Sequence, residues 1–277
     1  MVRKRRNPTD IAIEVGLFLF ACVLLYPIYF LYVGSFKSPA IFYDPFAFPK
    51  ELYWGSFAIV FEKVKLLDGF FNTIVIMSFS LVSIVVICSM AGYAIARVKN
   101  RWFQAIYYLF LSGMIVPLQT TMVTIFKMGV SIQLIDTRTF MVLLYAAGAI
   151  PIATFIYVGF MKSIPKEIEE SAFIDGCGPM QSFARIVLPL LLPATGTILI
   201  TNVTAIYNDF MGPLLYLKSE SKMTLMPQIV QFYANKQSMD YGPVFALSAL
   251  AVLPLILLFI FTQKYMIKGL IVGSLKG

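Results

Sequence analysis

The sequence has no histidine, only three cysteines, and few charges: Asp, Glu, Lys and Arg make up 13% of its 277 residues. Soluble domains are usually about 25% charged, so water is not the solvent for most of this chain. Six stretches carry no charge at all: 15–36, 69–96, 102–126, 139–161, 186–208 and 241–263. Each is longer than the ~20 residues that a helix needs to cross a bilayer. An ion-coupled carrier commonly keeps carboxylates or histidines inside its bundle to bind the coupling ion. Here Glu14 and Asp209 reach only the edges of these stretches. Sodium sites built from backbone carbonyls leave that reading open but weakened. An intramembrane enzyme is disfavoured for the same reason, since acid–base or metal chemistry wants His, Asp, Glu or Cys converging at one depth. There is also no G-x-x-x-x-G-K-[ST] run to cradle nucleotide phosphates, so any pumping must be powered by another chain. Cys22, Cys88 and Cys177 show no C-x-x-C spacing and say little about redox compartment.

What is present is hydrocarbon. Mean hydropathy is +0.82 and 59% of the residues are hydrophobic. The apolar runs lack the two-residue alternation of barrel strands, which predicts an all-α integral membrane fold with six transmembrane helices. Arg3, Lys4, Arg5 and Arg6 precede the first run, as in a signal peptide. That run spans 22 residues, longer than an h-region of ~7–15, and lacks an A-x-A site, so it is read as a retained span. An even number of spans puts both ends on one side. Segments 1–14, 97–101, 162–185 and 264–277 hold 13 Lys and Arg in 57 residues, against 9 in 76 for segments 37–68, 127–138 and 209–240. The positive-inside rule therefore makes both termini cytoplasmic. The net charge of +8 reads as an orientation signal, and no nucleic-acid partner is implied.

Between the fourth and fifth stretches lies 163–189, which is too patterned for a linker. Pro165 suits a first helical turn, and Glu167, Glu169 and Glu170 gather where the helix dipole favours carboxylates. Ile164, Ile168 and Ala172 recur every fourth residue as one apolar face. Gly176 suits a left-handed helix end, and Pro179 starts a second short helix. Small Ser171 and Ala172 beside Glu170 suit close approach by another surface bearing Arg. Taken alone, the pattern fits either a docking knob or an amphipathic hairpin lying on the inner leaflet.

The spacing resembles the E-A-A, three residues, G, nine residues, I-x-L-P signature of ABC importer permeases. Glu170, Ser171 and Ala172 stand at the triplet, Gly176 at the glycine, and Ile186, Leu188 and Pro189 at the close. Ser171 replaces the usual alanine and keeps its small volume. The resemblance implies a cytoplasmic coupling helix between the fourth and fifth spans, docked in a groove of an ATPase subunit through Glu170, Ala172, Asp175 and Gly176. It covers most of the chain and is nearest to carbohydrate permeases of the maltose and multiple-sugar type. It includes Asn72-Thr73, 91–97, 114–119 and 208–210, with Tyr207 where many relatives carry Trp. The tail 264–277 resembles the family's Gly-rich end, which implies ATPase contacts for Gly273, Lys276 and Gly277.

The same resemblance implies a second permease subunit, an ABC ATPase dimer, an extracellular or periplasmic sugar-binding protein, and a bacterial or archaeal inner-membrane location in contact with lipid. ATP and Mg would sit on the ATPase chains, with no cofactor or metal on this one. Gln119, Asn202, Tyr207 and Asn208 are candidates for the sugar pathway, Asn202 equally for a helix–helix hydrogen bond. The 32-residue segments 37–68 and 209–240 are candidate platforms for the binding protein. A permease for a non-carbohydrate solute such as glycerol phosphate, an ion-coupled carrier and a structural membrane subunit are the competing expectations.

Overall fold

The computed structural model describes residues 8–44, 47–234 and 241–274, and for Asp10 and 261–274 the backbone alone. Every regular element among the described residues is helical. The chain divides into two compact units, Met1–Lys65 with Gln231–Pro254, and Leu66–Val230 with Leu255–Gly277.

In the first unit, α1 (Pro8–Ser35) is an apolar rod exposed on all sides until its last two turns. There the Tyr32 hydroxyl donates to the Ala249 carbonyl at 3.2 Å, on α13 (Gly242–Ser274). Phe30 meets Phe245 edge-on at 5.6 Å between ring centroids. Gly34 lies so close to the Phe245 ring that a Cβ there would come within 2.5 Å of it. Just past α1, Lys37 is 2% exposed, and its ammonium donates to the Asp44 carbonyl at 2.7 Å beneath the Phe30 ring. A buried cation needs this kind of oxygen partner. The short α2 (Gly55–Lys63) follows.

The second unit is organised by α3 (Leu66–Arg97), which packs along α6 (Arg138–Ser163) and α10 (Leu192–Asn208). Its buried positions, among them Asn72, Ile76, Ser80, Ile84, Cys88 and Gly92, recur at helical spacing, so one stripe faces the core. Gly92 lets the helices close: a Cβ there would stand 2.9 Å from the Tyr157 Cβ. The buried Tyr157 hydroxyl shares a 2.9 Å hydrogen bond with Thr195, tying α6 to α10. Small Ala146, Ala149 and Ala153 on α6 line the same core. Within hydrocarbon, where apolar burial gives no driving force between helices, such close approach of small residues is what holds spans together.

Four of the expected spans appear as unbroken apolar helices, Ile11–Ser35, Leu66–Arg97, Arg138–Ser163 and Gly242–Ile260. The other two are interrupted in the structure. The helix expected over 102–126 is two, α4 (Arg101–Ser112) and α5 (Leu118–Ser131), of 12 and 14 residues. Pro117, which lacks an N–H and drives Val116 from the helical region, ends the continuity together with Gly113. Each piece is shorter than a full crossing. The stretch 186–208 begins in a bent pair, Pro179–Leu190 and Leu192–Asn208, which meet at 71°. Pro189 and Pro193 flank the break at Leu191. The six-span count is therefore not reproduced by six continuous helices among the described residues.

Replacing Gly92 with Leu should overpack the α3–α6 contact and cost about 1–3 kcal/mol. A lowered thermal midpoint of the detergent-purified protein, with Gly92→Ala intermediate, is the expected result.

Candidate functional site

Ile164 leaves α6 in an extended conformation, and after Pro165 the chain re-enters a helix, α7 (Glu167–Ile174). Glu167, Glu169 and Glu170 all fall in its first turn, where the unpaired backbone N–H groups favour negative charge. The helix ends as the glycine predicts. Gly176 has φ +85°, the Cys177 N–H donates to the Ala172 carbonyl at 2.9 Å, and the Gly176 N–H to the Phe173 carbonyl at 3.1 Å. This pair of bonds is the Schellman arrangement, which requires a left-handed residue at the turn. The chain then forms α8 (Pro179–Ser182), a π-helical turn Phe183–Val187, and α9 (Leu188–Leu190) before the bend.

Helix phase sorts the acidic residues. Glu170, Ser171, Asp175 and Gly176 are exposed, whereas Ala172 and Glu169 are buried on the opposite side. Ala172 therefore faces its own chain. The apolar face expected from Ile164, Ile168 and Ala172 is split, since Ile168 is 40% exposed. The outward apolar residues are instead Phe173, Ile174 and Met180, with Ile174 exposed at 87%. An acid-fringed apolar tip projects from the loop. Ile186 and Leu188 are half-buried, and Pro189 is exposed ahead of the bend.

Glu169 is the residue that sequence reasoning passed over. Its Oε1 accepts from Arg97 Nε at 2.7 Å and pairs with Nη2 at 2.6 Å, and its Oε2 accepts from the Tyr93 hydroxyl at 2.8 Å. Arg97 Nη2 also donates to the Ile164 carbonyl at 3.1 Å. Tyr93 and Arg97 stand four residues apart, on one face of the last turns of α3. The Tyr93 ring also leans on Phe183, centroids 5.0 Å apart. The ion pair is 11% and 6% exposed, and removing one partner from so dry a pair typically costs about 3–5 kcal/mol. One helix end thus grips both arms of the loop.

A second polar cluster sits at the far end of α3. Asn72 Nδ2 donates to the Ser221 and Met223 carbonyls at 2.9 and 3.0 Å, and its Oδ1 accepts from Arg138 Nε at 2.8 Å. Thr73 Oγ1 accepts from the Leu225 N–H at 3.0 Å. Nearby, Asp136 accepts from the Lys218 and Ser219 N–H groups at 2.9 Å each, from the Ser219 hydroxyl, and from Lys222 Nζ at 3.1 Å. Burial pushes the Asp136 carboxyl up, but the hydrogen bonds from Ser219, Lys222 and Lys218 outweigh it and hold the carboxyl well below the usual range. The segment 217–225 is thereby latched to α3 and to the start of α6.

The four pathway candidates stand apart from both clusters. Gln119 lies exposed in the first turn of α5. Asn202 donates to the Ile198 carbonyl at 2.8 Å and Asn208 to that of Thr204 at 2.9 Å, so each amide nitrogen bonds its own helix. Tyr207 is 4% exposed. Beside them Asp209 Oδ2 accepts from the Tyr145 hydroxyl at 2.9 Å, and its Oδ1 accepts from the N–H groups of Met211 and Gly212, starting α11 (Met211–Tyr216). Of the tail residues, Gly273 lies in the last turn of α13, while Lys276 and Gly277 fall outside the described residues.

A family model described as "Binding-protein-dependent transport system inner membrane component" matches residues 51–272. The chain is 33% identical over 258 residues to the melibiose/raffinose/stachyose import permease protein MelC of Bacillus subtilis (strain 168), covering 93% of each. It is 32% identical over 262 residues to the multiple sugar-binding transport system permease protein MsmG of Streptococcus mutans serotype c, covering 92% of each. Among solved structures, a bacterial ABC transporter involved in the import of the acidic polysaccharide alginate superposes with a TM-score of 0.81 at 20% identity, covering 94% of this chain and 98% of that one. That last likeness is one of fold.

Two results follow from the geometry. Gly176→Ala should cost about 1–2 kcal/mol because a Cβ is disfavoured at positive φ, and Gly176→Asn should cost less. Faster hydrogen exchange at the amides of 167–177 in the alanine variant, without loss of membrane insertion, is the expected reading. For the latch, Asp136 carries a lowered native pKa, so its contribution is complete above the ordinary carboxylate pKa of about 3.9 and is lost as pH falls through the lowered value. The difference in thermal midpoint between wild type and Asp136→Asn should be constant from about pH 5 to 8 and should shrink toward zero in stronger acid.

Proposed function

The chain belongs to the family of binding-protein-dependent transport system inner membrane components, and on that premise we propose the partners, orientation and pathway of its transport role. It is the permease subunit of an ABC importer for sugars or oligosaccharides, a multi-pass membrane protein that carries no ATPase motor of its own. Relatives that share over nine-tenths of its length with it include one named for melibiose, raffinose and stachyose import and one named for a multiple sugar-binding transport system.

A second permease completes the translocation pathway, two ATPase subunits carry ATP and Mg, and a sugar-binding protein delivers the solute from outside. The membrane is the bacterial or archaeal inner membrane, with both termini cytoplasmic. The observation that carries the coupling assignment is α7. It is a short helix, pinned to the chain on one side, whose other side offers Ile174 at 87% exposure with Glu170 and Asp175 beside it. The apolar tip suits an apolar hollow on a partner, and its acids suit a groove lined by Arg or Lys. The loop 163–189 is then cytoplasmic, the latched segment 217–225 lies on the binding-protein side, and the tail residues Gly273, Lys276 and Gly277 reach the ATPases. Gln119, Asn202, Tyr207 and Asn208 border the sugar path, with Gln119 and Asn208 the exposed members. ATP closure of the ATPase dimer would shift the bundle between inward- and outward-open states by binding one of them better.

The test is reconstitution of the chain, its co-expressed partner permease, the ATPase and the binding protein into liposomes. ATP hydrolysis should rise on adding binding protein with raffinose or melibiose, and labelled sugar should accumulate only with ATP. Uptake of glycerol 3-phosphate but of no sugar would replace the solute class. Sugar uptake by this chain alone under a proton or sodium gradient would overturn the assignment.

A further inference from the structure

The loop 163–189 has two covalent connections to the bundle, and neither runs as a straight helix into it. Toward α6 the chain is extended at Ile164 and passes Pro165. Toward α10 it passes the left-handed Gly176, then Gly178, and then the 71° bend. Yet the loop is fixed to α3, a helix 72 residues away in sequence, by the Arg97–Glu169 pair. Of the four long apolar helices, α1, α6 and α13 each contain a proline, and α3 does not. α3 runs as one unbroken helix from Leu66 to Arg97 and lacks proline, the strongest single cause of a sharp kink. At its opposite end, Asn72 and Thr73 hold segment 217–225 through three hydrogen bonds. Between Asn72 and Arg97 the helix is about 38 Å long, enough to cross the hydrocarbon.

We infer that α3 is a rigid rod that carries displacement of the coupling loop to segment 217–225 on the opposite face of the membrane. In it, Arg97 and Glu169, steadied by Tyr93, are positioning residues at one end, and Asn72 is the positioning residue at the other. The inference rests on the transport reading above and adds the route that reading leaves open. Loop motion reaches the far face through side-chain fittings on α3, since each backbone connection changes direction before it joins a long helix. Arg97 suits the inner fitting because its planar fork serves the Glu169 carboxylate and the Ile164 carbonyl together, which a lysine ammonium does less well.

The test uses the whole reconstituted importer and reads sugar transported per ATP hydrolysed, with labelled raffinose or melibiose, whichever the wild type takes up. Arg97→Gln, Glu169→Gln and Asn72→Ala should each lower that ratio at least tenfold while the ATPase still co-purifies and hydrolyses ATP. The swapped pair Arg97→Glu with Glu169→Arg should recover at least a third of the wild-type ratio, and Arg97→Lys should fall between. Two results overturn the inference. One is a wild-type ratio in the single variants. The other is parallel loss of assembly, hydrolysis and uptake with the ratio unchanged, which marks a brace and not a rod. Tyr93→Phe, which removes only a hydroxyl, guards against misfolding: it should lower the ratio severalfold at normal expression, and an unchanged ratio counts against the rod. A wild-type complex whose ATPase never co-purifies would instead defeat the transport reading itself, so the two failures are distinguishable.

Discussion

A guanidinium and a carboxylate that give up water together fix the loop to the rest of this chain. Arg97 and Glu169 are almost wholly covered, and their desolvation is offset because each finds more than one partner: Glu169 takes Arg97 on one oxygen and Tyr93 on the other, and Arg97 reaches on to Ile164. A buried pair with its remaining valences filled is tolerable, and the same pair half-satisfied is not. The carboxylate is therefore not interchangeable with its exposed neighbours Glu167 and Glu170, although all three look alike in sequence.

Once Glu169 is held, the rest of the loop follows. Ala172 turns inward one helical turn later, Phe183 meets Tyr93, and Gly176 reverses the chain at positive φ. The opposite side of α7 is left to project Ile174 and the acidic fringe. Contacts with the rest of this chain and the exposed apolar tip are thus divided between two faces of eight residues. A similar economy holds at the other end of α3, where Asn72 uses its amide nitrogen on two carbonyls and its oxygen on Arg138.

Much of this was legible in sequence, and the failures have physical causes. Charge-free runs located the long helices, because hydrocarbon tolerates few alternatives to an uninterrupted helix. The loop's caps were readable because Gly176 and Pro179 act locally. The break at 113–117 lay in plain view as Gly113 and Pro117, but an uncharged run masks a helix interruption when only length is counted. Glu169 was hidden because burial depends on the phase of α7 against a helix far away in sequence. The available clue was a joint one, Glu169 three residues before Ala172 and Arg97 four after Tyr93. Polar residues within spans were the least readable: Asn202 and Asn208 satisfy their own backbone, a competition that residue type alone does not resolve.

The stripe on α3 also sets a limit on how this chain can vary. Asn72 and Arg97 are separated by 25 positions, about seven whole turns, so both ends of the helix present their fittings on nearly the same side. Removing or adding one residue between them would rotate one fitting by about 100° relative to the other. Loops elsewhere can absorb insertions, but this helix can change length only in steps of three or four residues. Its rotational register is as much a part of the machinery as any side chain it carries.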